Sequence, residues 1–155
     1  MIAGLVRIPL QRFEDDRGWF CELARQSLLP RPMLQTNVSF SRQGTLRGLH
    51  YHERGQDDLF ACLQGMARVV VLDVETSETF CEDIGDDNPV AIYVPGHCAH
   101  GFEALTDLLF CYHVTEEYDP ADPDELGLCW ADPRIKHLWR TETPLLSPRD
   151  QAACA

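Results

Sequence analysis

Lysine is almost missing from this chain. Lys136 is the only one, and every other basic side chain is arginine. Positive charge as a whole is scarce, with 13 basic against 25 acidic residues and a formal net charge of −12. A general nucleic-acid binder needs a basic face to neutralise phosphates, so that class is excluded. A small anionic ligand is not, because a few arginines suffice to line a pocket. No apolar run is long enough to span a bilayer, so no membrane partner is expected. The start, MIAGLVRIPLQRF, has no basic head followed by a long apolar stretch, so no secretory leader is expected and the cytoplasm is the expected compartment. Cys21, Cys62, Cys81, Cys98, Cys111, Cys129 and Cys154 form no CxxC pair, and several lie inside apolar runs such as LFACL and LLFCYHV. Buried free thiols are therefore expected, rather than zinc ligands or disulfides.

There is also no internal repeat, low-complexity tract or linker. At 155 residues with 45% hydrophobic content, the chain fits one domain, residues 1–155, around one core. Prolines and glycines punctuate short apolar or alternating runs. QTNVSFSR alternates, with Gln35, Asn37, Ser39 and Ser41 on one face and Val38 and Phe40 on the other. LFACLQG, MARVVVLDVE, VAIYVPG and DLLFCYHVTEEY read as further strands, with turn residues between them. The pattern predicts an all-β, antiparallel sandwich or barrel with minor helical segments, one of them over 133–139. The Gln/Asn/Ser face of QTNVSFSR suits a wet pocket as well as it suits solvent.

Three chemistries compete on these residues. The first is a metal site. His50 and His52 stand two apart and share one face of a strand, Gln56 follows, and His100 lies in PGHCAHGF. That spacing approaches the metal motif of cupins, but with the neutral Gln56 in the place of a glutamate. The second is acid–base work, with His50 as base and Tyr112 in FCYHV returning a proton from a neighbouring strand. Tyr112 is equally a half-buried strand aromatic, and Asp132 of WADP, the available carboxylate, is equally a turn residue before proline. The third is an anion pocket built on Arg17 and Arg47, each beside a glycine that lets backbone approach. Spacing alone does not choose among them.

Taken together, DDRGWFCE, QTNVSFS, RGLHY, VPGHCAHGFEALTD, CYHVTEEYDP, WADPRI and LSPRD resemble the dTDP-4-dehydrorhamnose 3,5-epimerase family. The segments occur in family order over nearly the whole chain. The resemblance implies a cupin-like jelly roll, a homodimer and a dTDP-linked 4-keto-6-deoxy sugar as substrate, with no metal and no organic cofactor. It implies proton removal beside the C4 ketone and return to the other face, at C3, at C5 or at both. His50 matches the base, Asp132 the acid that pairs with it, and Tyr112 the tyrosine that reprotonates; His100 matches a pocket residue. Arg17, Phe20, Glu22, Gln35, Asn37 and Arg47 match positions that hold the nucleotide and diphosphate, and Tyr118 an aromatic near the thymine.

The chain departs from that pattern at one place. The resemblance puts an enolate-stabilising lysine in a Q-x-K-L stretch, which here reads Gln56-Asp57-Asp58-Leu59. Asp58 reverses the charge there, and His52 stands where the pattern has glutamine. Three outcomes remain open on the sequence: an epimerase of one or two centres, a metal-dependent cupin isomerase or dioxygenase, and a dTDP-sugar-binding homologue without catalysis.

Overall fold

The computed structural model describes residues 1–155. Twelve strands carry the fold. They are β1 (Val6–Pro9), β2 (Arg12–Asp15), β3 (Gly18–Cys21), β4 (Gln35–Ser41), β5 (Leu46–His52), β6 (Asp58–Gln64), β7 (Met66–Asp73), β8 (Thr79–Gly85), β9 (Val90–Val94), β10 (Cys98–Ala104), β11 (Leu108–Val114) and β12 (Glu125–Gly127). One short helix, α1 (Pro148–Ala152), ends the chain, and residues 136–138 form a single 3₁₀ turn inside the segment expected to be helical.

Two five-stranded antiparallel sheets face each other, in the orders β1-β9-β6-β11-β4 and β12-β5-β10-β7-β8. This is the expected jelly-roll sandwich. Strands β2 and β3 stand apart as a hairpin. Between the sheets lies the main core, in which Val69, Val71, Ile92, Val94, Phe102 and Phe110 interlock. The outer faces of the central strands are covered as well. Ile135 and Trp139 cap Leu49, Val70 and Leu72, while Leu10, Leu23 and Leu29 cover Leu59 and Tyr93. A strand buried on both faces needs apolar residues at every position, which is why VAIYV and the VVVL stretch of β7 show no alternation.

The two strands that carry the histidines approach unusually closely. On β5 and β10, His50 is opposite His100. Gly48 has φ +123°, and a Cβ there would meet Gly101 Cα and the His100 carbonyl oxygen at 2.8 Å. Only glycine fits both the dihedral and the gap, so Gly48 of RGLHY serves strand contact.

The expectation that every cysteine is free is corrected. Cys129 and Cys154 are joined in a disulfide, while Cys21, Cys62, Cys81, Cys98 and Cys111 stay free. The reason is tertiary. α1 folds back beside the end of β12, and two cysteines 25 residues apart meet with Cα atoms 4.5 Å apart. No local spacing signals such a pairing. Closing a loop of this length contributes roughly 3 kcal/mol in the chain-entropy picture. Cys154→Ser is therefore expected to lower Tm by about 6–12 °C. Calorimetry with and without reductant checks this, and the two proteins should coincide once the wild type is reduced.

Candidate active site

At one end the sandwich opens into a cavity of about 480 Å³, the size of a small-ligand site. Its floor is aromatic: Phe102 stacks on Phe110 at 4.0 Å, and Phe60 meets Phe110 edge-on at 5.3 Å. Its walls are polar and come from both sheets. Strand β4 turns Gln35, Asn37 and Ser39 inward, opposite Val114, Tyr112 and Phe110 of β11. Gln35 donates to Asn37 Oδ1 at 2.8 Å and accepts from the backbone N–H of Tyr118 at 2.8 Å. The even reading of QTNVSFSR thus resolves in favour of the pocket, and it is Val38 and Phe40 that face outward, 58% and 59% exposed.

His50 is held from two sides in the cavity. Its Nε2 lies 2.7 Å from Asp150 Oδ1, and its Nδ1 lies 3.3 Å from Glu125 Oε1. Asp150 is held from several sides. Ser147 caps α1 by accepting from the Asp150 N–H and donates its hydroxyl to Asp150 Oδ2 at 2.9 Å. Burial pushes the Asp150 carboxyl up, but bonds from His50, Ser147 and the Gly48 backbone outweigh it and leave it below the ordinary aspartate value. A carboxylate that accepts from Nε2 fixes the tautomer and leaves Nδ1 as the basic atom. Glu125 beside that atom is in turn clamped by Arg149 at 2.8 Å.

Asp132 is not the partner of His50. Its carboxylate accepts the Nε and both backbone and terminal N–H groups of Arg134 at 2.8–2.9 Å, which drives it down to about 2. It does not line the cavity. Its backbone oxygen accepts from Ile135 and Lys136, so it is the turn residue that an Asp before proline usually is. The sequence reading missed Asp150, Glu125 and Arg149. A signal existed for Asp150: Ser-Pro-x-Asp is a capping box with proline in the first turn, which places the acid at the third helical position.

The other expected residues divide into two groups. Tyr112, His100, Arg47, Gln35, Asn37 and Tyr118 line the cavity. Burial, and after it the charges of Glu125 and Asp58, raise the Tyr112 hydroxyl, so it holds its proton at neutral pH. Arg47 donates to Ser41 Oγ and to the Phe40 carbonyl at the rim. Arg17, Phe20 and Glu22 are not brought there by this chain. They belong to the β2–β3 hairpin and its end, where Arg17 pairs with Asp15 and Glu22 with Arg25. Phe20 is 63% exposed.

Beside His50, a second cluster fills the cavity wall. His100 Nε2 lies 2.7 Å from Asp58 Oδ2, and Gln56 donates to both His52 Nε2 and Asp58 Oδ1 at 3.1 Å. Burial lowers His52. For His100, burial also pulls down, but the Asp58 charge outweighs it and the net direction is up.

The whole chain, residues 1–155, matches the family model described as dTDP-4-dehydrorhamnose 3,5-epimerase. It is 39% identical over 151 residues to the spore coat polysaccharide biosynthesis protein SpsL of Bacillus subtilis (strain 168), covering 92% of this chain and 99% of that one. It is 36% identical to the dTDP-4-dehydrorhamnose 3,5-epimerase of Escherichia coli (strain K12), covering 90% and 82%. Among solved structures it superposes with a TM-score of 0.88 on the dTDP-6-deoxy-D-glucose-3,5-epimerase of Legionella pneumophila Philadelphia 1 in complex with dTDP-4-keto-L-rhamnose. That match has 29% identity and covers 98% of this chain and 87% of the other.

Proposed function

The chain belongs to the dTDP-4-dehydrorhamnose 3,5-epimerase family, and on that premise we propose that it epimerises a dTDP-linked 4-keto-6-deoxy sugar. The observation that carries this reading is His50 on one sheet, paired with Asp150 of α1, and Tyr112 on the other sheet. His50 Nδ1 takes the proton from a carbon beside the C4 ketone, and the electron pair moves onto the ketone oxygen as an enolate. Tyr112, whose hydroxyl is protonated, delivers a proton to the opposite face of that carbon. Base and acid on opposing walls invert a centre; both on one wall would return the proton to the side it left. Asp150 stabilises the imidazolium formed in the first step. Arg47, Gln35 and Asn37 hold the diphosphate and nucleotide, with Tyr118 against the base.

A homodimer fits the remaining residues. Phe13, Trp19 and Phe20 on the hairpin and Val38 and Phe40 on β4 are large apolar side chains about half exposed or more, more than a lone sandwich needs. A second copy contributing Arg17 and Phe20 to the cavity gives those residues the binding role assigned to them. The cytoplasm remains the proposed setting; no helix is long and apolar enough to cross a membrane.

The test is proton NMR of dTDP-4-dehydro-6-deoxyglucose with the protein in deuterated water. Loss of the C3 and C5 signals is the expected result. Loss at C3 alone identifies a single-centre epimerase, and retention of both signals overturns the assignment.

A further inference from the structure

The proton transfer above leaves His52, Asp58 and His100 unused. They come from β5, β6 and β10, and one donor atom from each lies within 4.8 Å of the other two. Asp58 and His100 are 2% and 5% exposed. Their arrangement poses an electrostatic problem. His100 Nδ1 is 3.1 Å from the Cys98 carbonyl oxygen. A carbonyl only accepts, so Nδ1 carries a proton, and in the neutral ring the Nε2 lone pair is left 2.7 Å from Asp58 Oδ2. That oxygen receives no aligned hydrogen bond from any donor. A lone pair and a carboxylate oxygen this close, shielded from water, repel unless a positive charge, a proton or a metal ion, sits with them.

We propose that His52, Asp58 and His100 bind a divalent transition-metal ion. Two imidazoles and one carboxylate suit zinc, iron, cobalt, nickel or manganese better than magnesium or calcium, which favour all-oxygen shells. Bonds of about 2.0–2.2 Å at a tetrahedral angle set donors about 3.4 Å apart, so from the 4.8 Å limit the cluster closes by at most about 1.5 Å, and half-buried His52 supplies that movement. The Cys98 carbonyl on Nδ1 is the outer bond that orients a ligating histidine. The Gln56 amide, donating to His52 Nε2, marks that nitrogen as an unprotonated lone pair, which it yields to the ion. His50 stands outside the set because Asp150 holds its Nε2 and its Nδ1 is the atom that takes the substrate proton.

The role of the ion rests on the epimerase reading, although its binding does not. Beside His50 it supplies the positive charge on which the enolate oxygen settles, in a cavity whose walls hold Asp58, Glu125 and Asp150 and whose substrate adds a diphosphate.

The experiment is a titration of chelator-stripped, full-length protein with Co²⁺, read by its visible d–d absorption, together with elemental analysis of protein reloaded with Zn²⁺. One equivalent per chain is expected. Asp58→Asn and His52→Gln, checked for folding by circular dichroism, should each weaken binding at least about 100-fold, since loss of an outer-shell partner alone costs 10–100-fold. No d–d band and no retained zinc overturn the proposal, and a proton on His100 then supplies the charge. Unchanged affinity in both variants, or thiolate charge-transfer bands, overturn it by placing the ion elsewhere. The titration contains no substrate, so its failure is separable from failure of the epimerase reading. Deuterium exchange by stripped protein should fall at least about tenfold and return with metal; equal exchange in both forms overturns the catalytic role.

Discussion

His50→Ala is expected to abolish solvent-proton exchange into the sugar while leaving dTDP affinity within about threefold. A positioned general base contributes on the order of 10²–10⁴ in rate, and no neighbour replaces this one. His52 lies on the same strand, but its Nε2 already accepts from Gln56 and burial weakens its basicity. His100 turns its Nε2 toward Asp58. Tyr112 is held protonated by burial. The binding groups proposed for the nucleotide, Gln35, Asn37 and Arg47, sit on β4 and β5 and do not bond to the imidazole. Exchange is read by proton NMR in deuterated water and affinity by calorimetry. Exchange that persists at more than about a tenth of the wild-type rate would show that another group removes the proton.

What could be read in advance follows from which interactions are local. Alternation in QTNVSFSR is a property of consecutive residues, so the strand and its two faces were legible. Which face points inward was not, because that depends on β11 beside it. His50, His100 and Tyr112 sit on strands whose apolar neighbours fix their direction, and all three line the cavity. The carboxylate went wrong for a physical reason. Asp132 and Asp150 both lie in turn-rich C-terminal sequence, and each caps a local turn. Only the return of α1 to β5 decides which one meets His50, and that docking is made by Ser147, the Cys129–Cys154 bond and contacts far apart in sequence. Arg17, Phe20 and Glu22 show the converse. The match of DDRGWFCE assigned them a binding role, but a local match carries no information about where the β2–β3 hairpin points. The charge reversal at Asp58 is visible in the sequence, and its meaning is not, since it depends on His52 and His100 arriving from two other strands.

Asp150→Asn is expected to lower turnover by about 10²–10⁴-fold with KM within a few fold, the size of effect seen when a base loses the carboxylate that fixes its tautomer. The asparagine is nearly isosteric, so Ser147 and the Gly48 N–H keep an oxygen partner and α1 stays docked. What is lost is charge. Asparagine can present its NH₂ to Nε2, which then accepts, and the proton moves to Nδ1, the atom that must be basic. The same substitution carries a pH signature. The Asp150 carboxyl is below its ordinary value in the folded protein, so its contribution to stability is complete above the ordinary aspartate range and is lost as pH falls through the lowered value. Wild type should therefore exceed Asp150→Asn in Tm at neutral pH, and the two should converge on acidification. Asp132→Asn separates the two carboxylates. Asp132 bonds to Arg134 and is held at about 2, so its variant should also lose Tm at neutral pH, converging with wild type only as pH approaches that value. Its turnover should stay within about threefold of wild type, because nothing in the cavity touches it. A collapse of turnover in Asp132→Asn with activity preserved in Asp150→Asn would return the role to the carboxylate that the sequence suggested.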